Sequence, residues 1–178
     1  MSSLLCFEEI THLFTEFERT AFRLETRRGY ASDRAGARFR AFLRGVQPAP
    51  EPDHPWNTNV REKAAQGARF SRVRLVDDPP TDGQRFLMAT AAGNVAAGED
   101  IRVLARAEAE RLALPDWDFW LFDSRVLVRM HIDATDTTIG VQLIEDSAEV
   151  LAACRARDAA WVVATPSADV WAEVRSAV

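Results

Sequence analysis

The chain has 178 residues, of which 47% are hydrophobic and 28% charged, and it carries a net charge of −5 with a pI near 5.3. That length suits one compact domain, or one domain with a helical extension. The negative balance argues against a general nucleic-acid coat or a binder of anionic membranes, because no positive field draws phosphates in.

No segment approaches the ~20 consecutive apolar residues of a membrane span. The start, MSSLLCFEEITH, lacks a basic segment followed by a long apolar run, so no signal peptide is read there. Cys6 and Cys154 have no metal or redox spacing and are expected to be small apolar packers in a reducing compartment. A cytoplasmic location follows. Of the 22 basic residues, Lys63 alone is lysine. A GC-rich coding bias explains that, so the arginine count is not by itself a sign of phosphate binding.

In chain order, Phe7, Ile10, Leu13, Phe14, Phe17 and Ala21 recur at three- and four-residue spacing and predict an amphipathic helix over about 6–20. The next stretch, 22–28, either continues it or turns extended. A second helix is expected over 33–44, stopped by Gly45. Residues 46–55 hold four of the eight prolines and read as a semi-rigid connector. The expected organisation is therefore an N-terminal helical segment (1–46), a proline-rich connector (47–55) and an α+β core (56–178).

A helix is expected over 57–66, closed by Gly67. From Phe70 the pattern alternates: Val73 and Leu75 face one way, Arg72 and Arg74 the other, as in a half-buried strand. Residues 84–92 fit a strand or a helix; pairing across the short DDPPTDG turn slightly favours a strand. The stretch after it reads as a short helix or loop. Then come a short strand, 101–104, and a helix, 105–112. Residues 119–122, 125–132 and 138–144 read as an antiparallel meander. Asp146 with Glu149 starts a helix to about Val163. Pro166 breaks it, and a last helix covers 167–177. The fold class expected is α+β: an antiparallel sheet with flanking helices, preceded by the N-terminal helical segment.

The residues with chemical potential form five sets. Arg72 and Arg74 project from one strand face. With Arg85 on a paired strand and Arg102 nearby they would clamp a phosphate or carboxylate, or else form a solvated face. Glu99 and Asp100 face opposite ways, so one of them points into any given site; pairing with the arginines is the preferred reading. Asp116, Asp118 and Asp123 are spaced closely enough to raise the question of a divalent cation, but Asp118 and Asp123 fall on opposite faces, and no metal site is assigned. His131, on the face of Arg125, Leu127 and Arg129, is a candidate general base. Trp117, Phe119, Trp120 and Phe122 put aromatics on both faces of one strand, which means two covered faces or a pocket. The candidates carried forward are His131, Glu99 and Asp118 for catalysis, and Arg72, Arg74, Arg85, Arg102 and Trp120 for ligand binding. There is no phosphate-loop Gly–Lys motif, dinucleotide glycine pattern or nucleophile elbow, and no cofactor is expected.

Through AFRLETRRGY (21–30), FSRVRLVDDPPT (70–81), NVAAGEDIRVL (94–104), LPDWDFWLFDS (114–124) and RDAAW (157–161), the chain resembles an uncharacterised family of actinobacterial proteins often encoded beside small helix-turn-helix regulators. The resemblance spans nearly the whole chain. It implies no catalytic residues, and it favours a regulatory or partner-binding role.

Three functional expectations follow. The first is a regulatory or interaction protein that docks a protein partner, possibly a helix-turn-helix regulator, through Phe14, Phe17 or the Trp-rich strand. The second is a small enzyme or binder of a phosphorylated or otherwise anionic ligand. The third is an RNA-acting nuclease or toxin-like protein, disfavoured by the net acidity. A homo-oligomer is left open.

Overall fold

A computed structural model describes residues 4–176. Its centre is a seven-stranded sheet in the order β6-β5-β4-β1-β2-β3-β7. A one-turn 3-10 helix, Phe7–Ile10, and α1, Leu13–Glu16, lead into β1, Thr20–Glu25. Two short helices, α2 (Ala31–Ala35) and α3 (Ala37–Leu43), precede the proline-rich connector. Then follow α4 (Pro55–Ala65), β2 (Arg69–Val76), α5 (Asp82–Ala97), β3 (Asp100–Ala105) and α6 (Arg106–Arg111). The chain ends with β4 (Phe119–Phe122), β5 (Val126–Ile132), β6 (Thr138–Ile144), α7 (Ser147–Val163), β7 (Thr165–Pro166) and α8 (Ser167–Ser176). Residue 177, the expected end of the last helix, lies outside the described residues. Among those described, no helix is long and apolar enough to cross a membrane.

The α+β class holds, but the sheet is mixed. β1, β2 and β3 are parallel, and the other pairings are antiparallel. A parallel pair needs a crossover element, and α5 supplies it between β2 and β3. The strand favoured over 84–92 is thus a helix. Its start is marked by a reciprocal cap: Gln84 N–H donates to the Thr81 hydroxyl at 3.3 Å, and Thr81 N–H donates to Gln84 Oε1 at 2.9 Å. It ends at Gly98, whose φ of +113° suits a residue without a Cβ.

The expected helix over 6–20 is likewise corrected. It stops at Glu16, and Thr20–Glu25 is the fourth strand of the seven, paired on both edges. The segment before the proline-rich connector is therefore part of the same sheet as 56–178. Helical spacing in Phe7–Phe17 runs straight into the alternation of Phe22, Leu24 against Arg23, Glu25, and the first period hides the second.

Two cores lie on the two sides of the sheet. On one side Phe22, Leu24, Val73, Leu75, Leu121 and Leu127 pack beneath α6 and α7. On the other, Ile10, Phe14, Phe17, Val60 and Ala97 pack on Phe70, Trp120, Phe122 and Val128. The β4–β5 turn is tight: Asp123 and Ser124 have φ of 50° and 55°, and Arg125 N–H donates to the Phe122 carbonyl at 2.9 Å. The Asp123 carboxylate accepts the backbone N–H groups of Glu18, Arg19 and Thr20 at 2.8, 2.7 and 2.9 Å. Burial pushes its pKa up, but these donors outweigh burial and hold it below the ordinary value.

Candidate functional site

On the α4–α5 side, the middle of the sheet is charged rather than apolar. Register places Arg23 of β1 beside both Arg72 of β2 and Trp120 of β4, and Glu25 beside Arg74. Adjacent guanidiniums on neighbouring strands repel each other, so acids are interleaved. Glu25 takes Arg23 at 3.1 Å and Arg72 and Arg74 at 2.5 Å each. Asp118, one residue before β4, takes Arg23 at 3.1 Å. Glu99, one residue before β3, takes Arg72 at 2.8 Å. Three guanidiniums thus meet three carboxylates, with side-chain exposures of at most 11%.

A second layer of donors finishes the acids. Asp118 Oδ1 accepts the Thr26 N–H at 2.7 Å and hydroxyl at 2.8 Å, and Tyr30 donates its hydroxyl to Oδ2 at 2.5 Å. Glu99 Oε2 accepts the Trp56 indole N–H at 2.9 Å and the Asn94 amide at 3.1 Å. Arg74 also donates to the Leu87 carbonyl at 2.6 Å. Arg23 and Arg72 lie 5.3 and 5.6 Å from the centre of the Trp120 ring, and Arg72 lies 5.7 Å from that of Trp56.

Burial alone would raise the pKa of Glu25. The attraction of Arg72, Arg74 and Arg23 outweighs it and holds the carboxyl well below its usual range. Tyr30 moves the other way: burial, and then the charges of Glu25 and Asp118, push its phenol well up. At neutral pH Glu25 is therefore an ion and Tyr30 a neutral donor.

Above it lies an open cavity of about 1160 Å³. Phe7, Phe14, Tyr30 and Asp33 are among its lining residues. The connector and the start of α4 (Pro50, Glu51, Trp56) and α5 (Thr90, Asn94) complete the rim. Asp33 differs from the floor acids. Among the described residues it has no ion-pair or side-chain hydrogen-bond partner, and burial, then the charge of Glu25, raise its pKa.

A family model described as a domain of unknown function (DUF6879) matches residues 8–172. The chain belongs to that family. The matched span includes every residue of the charged floor. No curated protein matches the chain.

In this DUF6879 domain, five of the residues singled out from sequence meet in one place: Arg72, Arg74, Glu99, Asp118 and Trp120. The three others do not join them. Arg85, on a helix and not a paired strand, is 3.6 Å from Asp82 and lines a separate cavity of about 390 Å³ with Phe42, Trp171 and Arg175. Arg102 shares the opposite sheet face with Val73; it sits 3.9 Å from the centre of the Trp161 ring and donates to the Trp161 carbonyl at 3.3 Å. His131 follows the Leu127 and Arg129 side of β5 and is not part of the cavity lining. Asp116, Asp118 and Asp123 do not converge: Asp118 is taken by Arg23, Thr26 and Tyr30, and Asp123 by backbone at the far end of β4.

Sequence reasoning missed Arg23, Glu25, Tyr30, Asp33 and Trp56 as site residues. The signal for the first two was present. AFRLE alternates in the same way as SRVRLV, and two alternating charged strands side by side specify one charged face.

Proposed function

We propose that this domain binds a small organic molecule in the cavity over its charged floor. One observation carries the reading: a buried, internally ion-paired network, in which Arg23 Nε and the Trp120 indole N–H have no hydrogen-bond partner among the described residues, faces an open concavity instead of another layer of protein. Replacing such a network with apolar side chains is often neutral or stabilising, so the stability of the fold does not require it. Fixed donors and acceptors at the base of an aromatic-walled cavity are what ligand orientation requires.

The same pairing argues against a bare phosphate as the ligand. Arg72 and Arg74, expected to clamp an anion, are committed to Glu25 and Glu99. It also favours binding over proton transfer, since Glu25 stays ionised and Tyr30 stays protonated near neutral pH. His131, the expected general base, is not in the cavity lining and has no part in this reading.

The test is a thermal-shift screen of small heteroaromatic and amino compounds against the native chain and a cavity-filling Thr90→Trp variant. Ligands stabilise by mass action. Compounds that raise the melting temperature of the native chain and leave Thr90→Trp unmoved support the reading. Equal shifts in both proteins overturn it.

A second reading, a regulatory role through a protein partner such as a helix-turn-helix regulator, draws on α7. Leu151 and Val162, three turns apart, are 50% and 84% exposed there. The expected docking residues Phe14 and Phe17 are buried and do not offer such a surface. Co-elution of the chain with a helix-turn-helix regulator, abolished by Leu151→Ser/Val162→Ser, tests this reading; co-elution unaffected by that change rejects this surface.

A further inference from the structure

We infer that the ligand carries a cationic group, an amine or amidine, which Asp33 receives. This rests on the cavity being a binding site. The charges around the cavity decide the sign. The three floor guanidiniums are matched by Glu25 within the lining and by Asp118 and Glu99 outside it. Arg38 and Glu51, on the rim, pair with each other. Asp33 and Glu8 remain in the lining, and both are negative.

Of these two, Glu8 is exposed, whereas Asp33 is half-buried beside the floor. The nearby guanidiniums of Arg23, Arg74 and Arg34 cannot serve Asp33 without leaving Glu25, Asp118 and Asp136. A half-buried carboxylate without a counter-ion is costly, and a bound cation removes that cost.

The helix bearing Asp33 is held from several sides. Ala31 N–H donates to the Asp136 carbonyl at 3.0 Å. Arg34 donates to the Thr135 carbonyl at 2.9 Å and to the Asp136 carboxylate at 2.8 Å. Tyr30 is tied to Asp118. The backbone that carries Asp33 is thus placed before any ligand arrives, which reduces the ordering cost of binding. The apolar remainder of the ligand would lie against Phe7, Phe14 and Trp56.

Three probes of one size and different charge test this: benzylamine, benzyl alcohol and benzoate, measured at millimolar concentration by calorimetry and thermal shift. Benzylamine is expected to bind most tightly and benzoate least. Asp33→Asn is expected to weaken benzylamine at least tenfold and leave benzyl alcohol unchanged, with Asp33→Glu restoring part of the loss. Benzoate binding as well as benzylamine, or an Asp33→Asn variant that holds benzylamine normally, overturns the cation inference while cavity binding stands. If none of the three binds the native chain, the binding reading falls as well.

Discussion

The two faces of one sheet are built by opposite rules from the same strands. On β1, Phe22 and Leu24 point to an apolar layer, and Arg23 and Glu25 to the charged floor. On β2, Val73 and Leu75 oppose Arg72 and Arg74. The α6–α7 face is closed by helices and filled with aliphatic and aromatic side chains. The α4–α5 face is left open over its charged centre. Both faces carry an apolar core, but only the α4–α5 face gives its central positions to groups that packing alone would not select.

If that contrast is right, the largest loss comes from the apolar face. Phe22→Ala is expected to cost about 3–5 kcal/mol in urea unfolding, since Phe22 is 1% exposed among large neighbours. Next comes the charged hub. Glu25→Gln leaves three guanidiniums short of a counter-charge and is expected to cost about 3 kcal/mol. It should also change the pH profile. The pKa of Glu25 is depressed in the folded chain, so its contribution is present above the ordinary carboxylate range and is lost as pH falls through the lower folded value. Stability measured towards acid should therefore decline less steeply in Glu25→Gln than in the native chain; parallel declines would show that the hub does not act through ionisation. Asp123→Ala removes an acceptor shared by three N–H groups and is expected to cost about 2 kcal/mol, checked by the same denaturation. The smallest effect belongs to Arg85→Ala. It lies outside both the apolar layer and the floor, and it should change stability by less than about 0.5 kcal/mol with ligand shifts unaltered. A large change there would mean that the cavity near Trp171 matters more than the floor.

How much of this was legible beforehand differs by element. β2, β3, β4, β5 and β6 were readable because turn residues bound their apolar runs, whereas the two-residue β7, Thr165–Pro166, reads only as the break after α7. β1 was not readable, because the three- and four-residue spacing of Phe7 to Ala21 leads directly into it without a proline or glycine to mark the change. α5 was obscured by three consecutive buried apolar residues, Phe86, Leu87 and Met88, which satisfy neither period cleanly; the Thr81–Gln84 cap was the overlooked sign. Half of the floor followed from that. Arg72, Arg74, Glu99, Asp118 and Trp120 stand out by residue type, but their mutual arrangement depends on the strand that went unread. Arg85 was misplaced for the related reason that its helix was taken for a strand. The Asp33 carboxylate has no sequence signature, because its lack of a partner among the described residues is a fact of three dimensions alone.

The position of β1 in the sheet has a consequence for how the chain comes into being. Thr20 precedes its hydrogen-bonding neighbour Asp123 by 103 residues, and β4, one of the two strands that flank β1, leaves the ribosome long after it. Until β4 emerges, Arg23 lacks Asp118, and one edge of the central strand is open to unintended pairing. Long sequence separation between paired strands also slows folding. The domain thus depends on the emergence of β4, about a hundred residues later, to protect β1.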